Sequence, residues 1–446
     1  MKRLSAFLFL LLLVSFCTPL FTSCDKNTEE TEPTEVYDGK TIVLNVFNWG
    51  EYISDGFEGS LDTVAEFEKY YFEKYGKRVK VNYSTYATNE DMYSKLKSGS
   101  GSYDIVIPSD YMIDKMIKED MLISFDATSI ENYKYIAEDF KGLYYDPQNL
   151  YSVPYTYGML GIIYNSQLVD PQDIEDESWA LLWNEKYRGK ILQFNNPRDA
   201  FASAMYYTGL DVNSEDKEVW NKALDKLIEQ KPLVQAYVND EIFNKMTTAS
   251  ATIAPYFAGD FITMAADNED LRFYYPKEGT NLFVDAMCIP KSSKNPEVAK
   301  EFINFMLSAE PAIANAIYIG YASPNTVVTE SAEYLEAISE LTDDAYDILY
   351  SKSPEELNKS YNDKFGTTCY ESFSPEIQDH VNTLWESLKT ENSTEIWVHV
   401  VTIAIVILVV YFAVYSVVIK KIRSKDYRLR DKLKKKEMYR KANQKG

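Results

Sequence analysis

This chain is nearly without histidine, with 2 in 446 residues. His380 falls in a stretch that reads as a terminal helix, and His399 lies inside a long apolar run. That leaves no material for a histidine-based metal centre or a nucleophile–histidine–acid triad. Cysteine is almost as sparse, at 4. Cys17 lies in an apolar leader and Cys24 just after it, so Cys288 and Cys369 alone remain for a fold. Both sit among apolar or aromatic neighbours, the setting of buried thiols rather than of a disulfide or metal pair. The run Ser98-Gly99-Ser100-Gly101 lacks the lysine of a phosphate loop and reads as a turn. No segment repeats another, and no nucleophile stands beside a base. The reading therefore assigns no catalytic residue, no cofactor and no metal site.

Basic charge is also missing, except at the two ends. The formal net charge is −22. Lys420 to Gly446 holds thirteen Lys/Arg and three acids, a net +10, and Lys2 and Arg3 add +2, so the rest carries −34. Such a surface repels nucleic acid, which is excluded as a partner, and it favours cations. Acidity of this kind also serves solubility and names no ligand by itself.

The ends carry membrane signals. Lys2 and Arg3 precede the apolar run Leu4–Phe21, the layout of an export signal over residues 1–23. Phe21-Thr22-Ser23-Cys24 resembles a bacterial lipobox, with Phe21 where Leu is usual, so Cys24 is the expected lipidation site. Residues 24–40, with Glu29, Glu30, Glu32 and Glu35 among Thr and Pro, read as an acidic tether. At the other end Ile396–Ile419 gives 24 residues interrupted only by His399, Thr402 and Ser416. At roughly 1.5 Å per residue such a helix exceeds the ~30 Å hydrocarbon layer. The basic run after it places residues 420–446 in the cytoplasm and everything upstream outside.

Between the ends, strand and helix patterns alternate. Apolar strands are expected at 41–47, 79–83 and 103–107, with helices over 60–75, 89–97 and from Tyr111. A second block has strands at 150–165, 190–194, 251–255, 271–275 and 283–289, with helices from Arg198, from Gly259, over 295–306 and over 375–389. This βαβ rhythm implies parallel sheet flanked by helices. The economical architecture is two α/β lobes with a cleft between them. Ligands of such sheets sit beyond the carboxyl ends of strands.

That rule directs attention to Phe47-Asn48-Trp49-Gly50-Glu51-Tyr52, where a carboxylate stands between two rings at a strand end. A small organic cation needs such a place, because an ammonium leaving water requires an anion and ring faces add cation–π attraction. The plainer reading is a strand-to-loop junction with a surface Glu. Asp285, enclosed by Val284 and Ala286-Met287, is a carboxylate in an apolar strand and should have a cationic partner, either a ligand or a Lys or Arg from the other lobe.

Six segments in order resemble bacterial spermidine/putrescine-binding proteins: Phe47–Tyr52, Tyr83–Leu96, Tyr103–Tyr111, Tyr151–Tyr155, Pro276–Gly279 and Ile319–Asn325. The resemblance runs from about Thr41 to Lys389. It implies a two-lobed, type II periplasmic-binding-protein fold of the α/β class, with one added C-terminal transmembrane helix at 396–419. The implied solute-binding domain is 41–390, with one lobe at about 41–151 and 285–324 and the other at about 152–284 and 325–390. It also implies a receptor, not an enzyme, that delivers a polyamine to the permease subunits of an ABC transporter. The implied ligand residues are Trp49, Glu51, Tyr52, Ser109, Tyr111, Asn196, Asp199, Tyr256, Phe283, Asp285 and Glu371. Asn196 stands where spermidine binders carry Asp, Asp199 where they carry Glu, and Tyr256 and Phe283 where they carry Trp. A family Gln falls around Glu371, with Tyr370 as the alternative. Asp199 follows Arg198 and could equally serve a helix N-terminus. Two other readings stay open. The redundant anchor suits a membrane-anchored polyamine sensor, and the tyrosines suit a binder of Fe(III) or another small cation.

Overall fold

The computed structural model describes residues 39–350, 368–390 and 393–443. The expected export signal, Cys24 and the tether up to residue 38 lie outside the described residues. Among the described residues nine strands follow one another: β1 (Ile42–Trp49), β2 (Val79–Tyr86), β3 (Ile105–Val106), β4 (Ser152–Asn165), β5 (Ile191–Phe194), β6 (Val234–Val238), β7 (Ile253–Phe257), β8 (Leu271–Tyr274) and β9 (Leu282–Cys288).

They join in the order β2-β1-β3-β9-β4-β7-β5-β6, with β8 also on β4. Pairing is parallel for β2-β1-β3 and for β7-β5-β6, as alternating strands and helices require. The expectation of parallel sheet needs one correction. β4 is antiparallel to β7, β8 and β9, and β9 is antiparallel to β3. These two strands therefore run between the lobes. Residues 152–159 of β4 pair with β9, and residues 160–165 pair with β7 and β8. All but one of the 14 residues of β4 are buried, consistent with a strand covered on both faces.

Local chemistry sets the helix ends. Asp62 caps Thr63–Tyr75 by accepting from the Ala65 N–H at 2.9 Å, and Gly76 ends it at φ 61°. Pro296–Met306 turns Val298, Ala299, Phe302, Ile303 and Met306 inward, at the spacing expected of a helix with one apolar stripe. Pro375–Thr390 packs on Lys217–Gln230 and Pro197–Thr208, so the chain end returns to the lobe that holds β5 to β7. Trp179 and Trp220 are fully buried in that lobe.

Beyond residue 392 a single helix runs Ser393–Asn443, 51 residues or about 77 Å. Among the described residues it is the one unbroken helix long and apolar enough to cross a membrane. Every side chain from Val401 to Val418 is exposed.

Candidate functional site

The carboxyl ends of the parallel strands point at one another across the hinge. β1 delivers Trp49, Glu51 and Tyr52, β2 leads to Asn89 and Glu90, and β3 leads to Ser109 and Tyr111. From the opposite lobe β5 leads to Asn196, Arg198 and Asp199, β6 to Asp240 and Glu241, and β7 to Asp260. The hinge strand β9 adds Phe283 and Asp285 from within its length, on alternate positions of one face. Together they enclose a slot of about 430 Å³.

Asp285 sits at the hinge, 3 % exposed. One carboxylate oxygen accepts from the Tyr52 hydroxyl at 2.8 Å, and that hydroxyl lies 2.6 Å from the Thr156 hydroxyl. The Pro154–Thr156 register shift in β4 brings Thr156 to this point. Burial pushes the Asp285 carboxyl up to about 6, while Ser109 and Tyr52 favour its charged form. Asp260 accepts from the Tyr321 hydroxyl at 2.6 Å. Burial, reinforced by Asp240, pushes it up to about 7. The Tyr52 and Tyr321 rings meet edge to face at 5.3 Å, so these two carboxylates flank one aromatic pair.

Asp199 lies at the other end. Its oxygens accept from Asn196 Nδ2 at 2.9 Å and the Tyr370 hydroxyl at 3.0 Å, and burial raises its pKa. Asn196 Oδ1 accepts in turn from the Asp199 N–H at 2.8 Å, which makes Asn196 the cap of Pro197–Thr208. The two readings of Asp199 thus coincide: it stands in a first helical turn and faces the slot. Across the slot Glu90 accepts from the Tyr111 hydroxyl at 3.1 Å. Among the described residues, none of Asp199, Asp260 and Asp285 lies within ion-pair distance of a lysine or arginine.

Rings supply the walls. Trp49 donates its indole N–H to the Ile107 carbonyl at 2.9 Å and tilts against Tyr86 at 4.6 Å. Phe257 meets Tyr256 at 4.9 Å and Phe283 at 5.4 Å. Burial raises Tyr52, Tyr111, Tyr256, Tyr321 and Tyr370 well above the usual phenol range, so these hydroxyls stay neutral donors.

Ten of the eleven residues named from the sequence face this slot. Glu51 does so from the rim, exposed and at φ 48°. Glu371 is the correction. It is exposed, its N–H donates to Asn213 Oδ1 at 2.9 Å and its carbonyl accepts from Arg198. Tyr370, the alternative at this place, lines the slot instead. Sequence reasoning missed Glu90, Arg198, Asp240, Phe257, Asp260 and Tyr321. The strand-end rule that led to Trp49 would have reached Glu90, Arg198 and Asp260 had it been carried past β2, β5 and β7, whereas Asp240 follows β6, which has no clear signal in the sequence.

Two α/β lobes on a shared hinge, closing on a ring-walled acidic slot, define a receptor that captures a small solute without changing it. The chain belongs to the bacterial extracellular solute-binding protein family, whose model matches residues 62–339. The spermidine/putrescine-binding periplasmic protein of Escherichia coli (strain K12) is 33% identical over 285 residues, 63% of this chain and 77% of that protein. A solved putative spermidine/putrescine ABC transporter protein from Listeria monocytogenes is 34% identical with a TM-score of 0.67, covering 78% of this chain and 99% of its own. The spermidine/putrescine ABC transporter substrate-binding protein of Streptococcus pneumoniae is 33% identical with a TM-score of 0.60 over the same shares. Family membership makes this an extracytoplasmic binding protein and not an enzyme.

Proposed function

We propose that this chain binds a polyamine, spermidine or putrescine, and hands it to the permease of an ABC importer. One observation carries the reading: Asp199 and Asp285 are buried in the slot and Asp260 is half-buried there, with no basic partner at ion-pair distance among the described residues. A buried carboxylate without a cation is costly, and an ammonium group from a ligand supplies one. Trp49, Tyr52, Tyr111, Tyr256, Phe257 and Phe283 cover the methylenes, and Ser109 and Glu51 complete the wall toward the first lobe. Neutral sugars and anions leave these charges uncompensated and are rejected.

Strand pairing supports the lobe boundaries at about 41–151 with 285–324 and 152–284 with 325–390, the crossings falling in β4 and β9. The exposed apolar face of Ser393–Asn443 supports a membrane span, with the basic end in the cytoplasm and Cys24 as a lipid anchor at the other end. A second anchor on a lipidated receptor keeps a sensor role in play. Isothermal titration with putrescine and spermidine tests binding, with micromolar or tighter affinity expected. Silence with both amines overturns the reading. Deleting residues 391–446 separates the roles: uptake that survives makes the span an anchor, and uptake that persists while a cytoplasmic response is lost makes it a sensor.

A further inference from the structure

The basic helix beyond the span is a feature that solute capture leaves unused. Ser393–Asn443 passes residue 419 without a break, and its residues 420–443 extend about 36 Å further. Lys420 to Gly446 holds thirteen Lys/Arg and three acids. Orientation across a membrane requires positive charge near the span but no pattern within it. A pattern is nevertheless there. Ile422, Leu429 and Leu433 are 56 %, 61 % and 60 % exposed. Their intervals of seven and four residues put all three within about 40° of one another around the helix. Arg423 and Arg430 border this stripe on one side, Lys425 and Lys432 on the other. Asp426 interrupts it, and Glu437 lies beyond its end. None of the four bordering cations is within ion-pair distance of an acid among the described residues, whereas Lys435 meets Asp431 at 3.2 Å on the far face.

Several occupants compete for such a face. An anionic bilayer is too distant. Along an unbroken helix Leu429 and Leu433 stand about 15 Å and about 21 Å beyond Ile419, past the ~8 Å over which salt screens charge. A second copy is opposed by charge, because a parallel pair sharing this seam sets the Lys425 edge of one chain against the Arg430 edge of the other. A nucleic acid takes the lysines and arginines and leaves three apolar side chains in water. An apolar groove rimmed with carboxylates satisfies both features. The three side chains enter the groove as helix anchors, and the basic borders meet the rim.

Resting on the importer and membrane-span readings above, we propose that residues 422–433 are a docking helix for an acid-rimmed apolar groove on a cytoplasmic protein, the ATP-hydrolysing subunit of the importer. That soluble subunit stands below the permease, at the depth of Leu429 and Leu433. Docking there makes the receptor a fixed part of the importer and holds its slot beside the permease at high effective concentration.

The test uses the full chain in nanodiscs of neutral lipid and the purified ATP-hydrolysing subunit, with binding measured at equilibrium. Wild type should bind at micromolar affinity or tighter. Leu429→Ala combined with Leu433→Ala keeps every charge and a strong helix former at both places, and should weaken binding at least about tenfold. Lys425→Gln combined with Arg430→Gln should weaken it severalfold and flatten its salt dependence. Titration with putrescine and spermidine should be identical in all three proteins. No binding by wild type, or an alanine pair that binds as wild type does, overturns the inference. Binding that requires anionic lipid or RNA assigns the charges to those surfaces and overturns it, as does an alanine pair whose sole effect is to separate two copies of this chain. A Lys432→Cys variant labelled by an impermeant maleimide from outside intact cells overturns the orientation of the span and the docking with it. Wild type that binds neither amine overturns the polyamine reading instead, a result distinct from loss of docking in the alanine pair.

Discussion

Carboxylates on the outside of this protein and carboxylates in its slot obey different rules. On the surface Lys118 meets Asp114 at 2.6 Å, Lys115 meets Glu119 at 2.8 Å and Lys186 meets both Asp170 and Asp173. Desolvation pushes Glu119 upward, but the hydrogen bonds from Lys115, Tyr93 and Lys97 together outweigh it and hold the carboxyl down at about 2. In the slot Asp285 and Asp260 rise to about 6 and about 7 because burial penalises their charge and no basic side chain answers it. A carboxyl whose folded value lies above its unfolded one subtracts stability once pH passes the unfolded value. The outer acids are thus complete without a guest. The inner ones store a cost that a guest cation relieves, and that difference marks the slot as the functional surface.

Removing an inner acid should separate binding from stability. Asp285→Ala should weaken polyamine binding by a hundredfold or more, about 3 kcal/mol, while the empty protein melts at the same temperature or higher. A lower melting temperature would show that Asp285 is structural and would erase the contrast. Acidification comes next. Between pH 8 and pH 5 the Asp260 and Asp285 carboxyls take up protons in the empty protein, so affinity should fall by roughly a thousandfold, with proton release on binding at neutral pH. Titration in buffers of different ionisation enthalpy measures this. Identical heats in all buffers would mean that these groups are already ionised. The surface pair at Glu119 keeps its charge throughout that window.

A smaller effect is expected from the packing behind Asp260. A methyl on Gly259 would lie 2.3 Å from the Tyr321 ring, and Gly320 approaches the same helix at φ 71°. Gly259→Ala should displace Tyr321 from Asp260, costing about 1–3 kcal/mol of stability and about tenfold in affinity. Unfolding and titration curves read both. Least of all, Glu119→Gln should change stability by less than ~1 kcal/mol and leave affinity untouched.

Legibility in the sequence followed the chemistry. β1, β4 and β9 were readable as apolar runs, which have few alternatives, and β2 by the alternation of Val79 and Val81 with Lys80 and Asn82. β6 was missed: its residues Val234, Gln235, Ala236, Tyr237 and Val238 are mostly part-exposed at the end of the strand order and show no clean alternation. Asp285 stood out as a charge among apolar neighbours. Asp260 did not, because an acid in the first turn of an amphipathic helix serves the helix dipole equally well. Arg198 was noticed only as a neighbour of Asp199. Its place over Phe373 and Tyr370 joins segments more than 170 residues apart in the chain, and no local pattern records that.

By itself the sequence determined the alternation of strands and helices, the acidity of the body, the long apolar helix near the end and the aromatic–carboxylate junction after β1. Periodicity and composition act over a few residues and survive without a fold. Only the tertiary structure decided which acids lose their water, which of them lack a basic partner, and that one arginine shares their slot. Desolvation and Coulomb energy depend on distances between segments remote in the chain, and those distances exist only once the lobes have met.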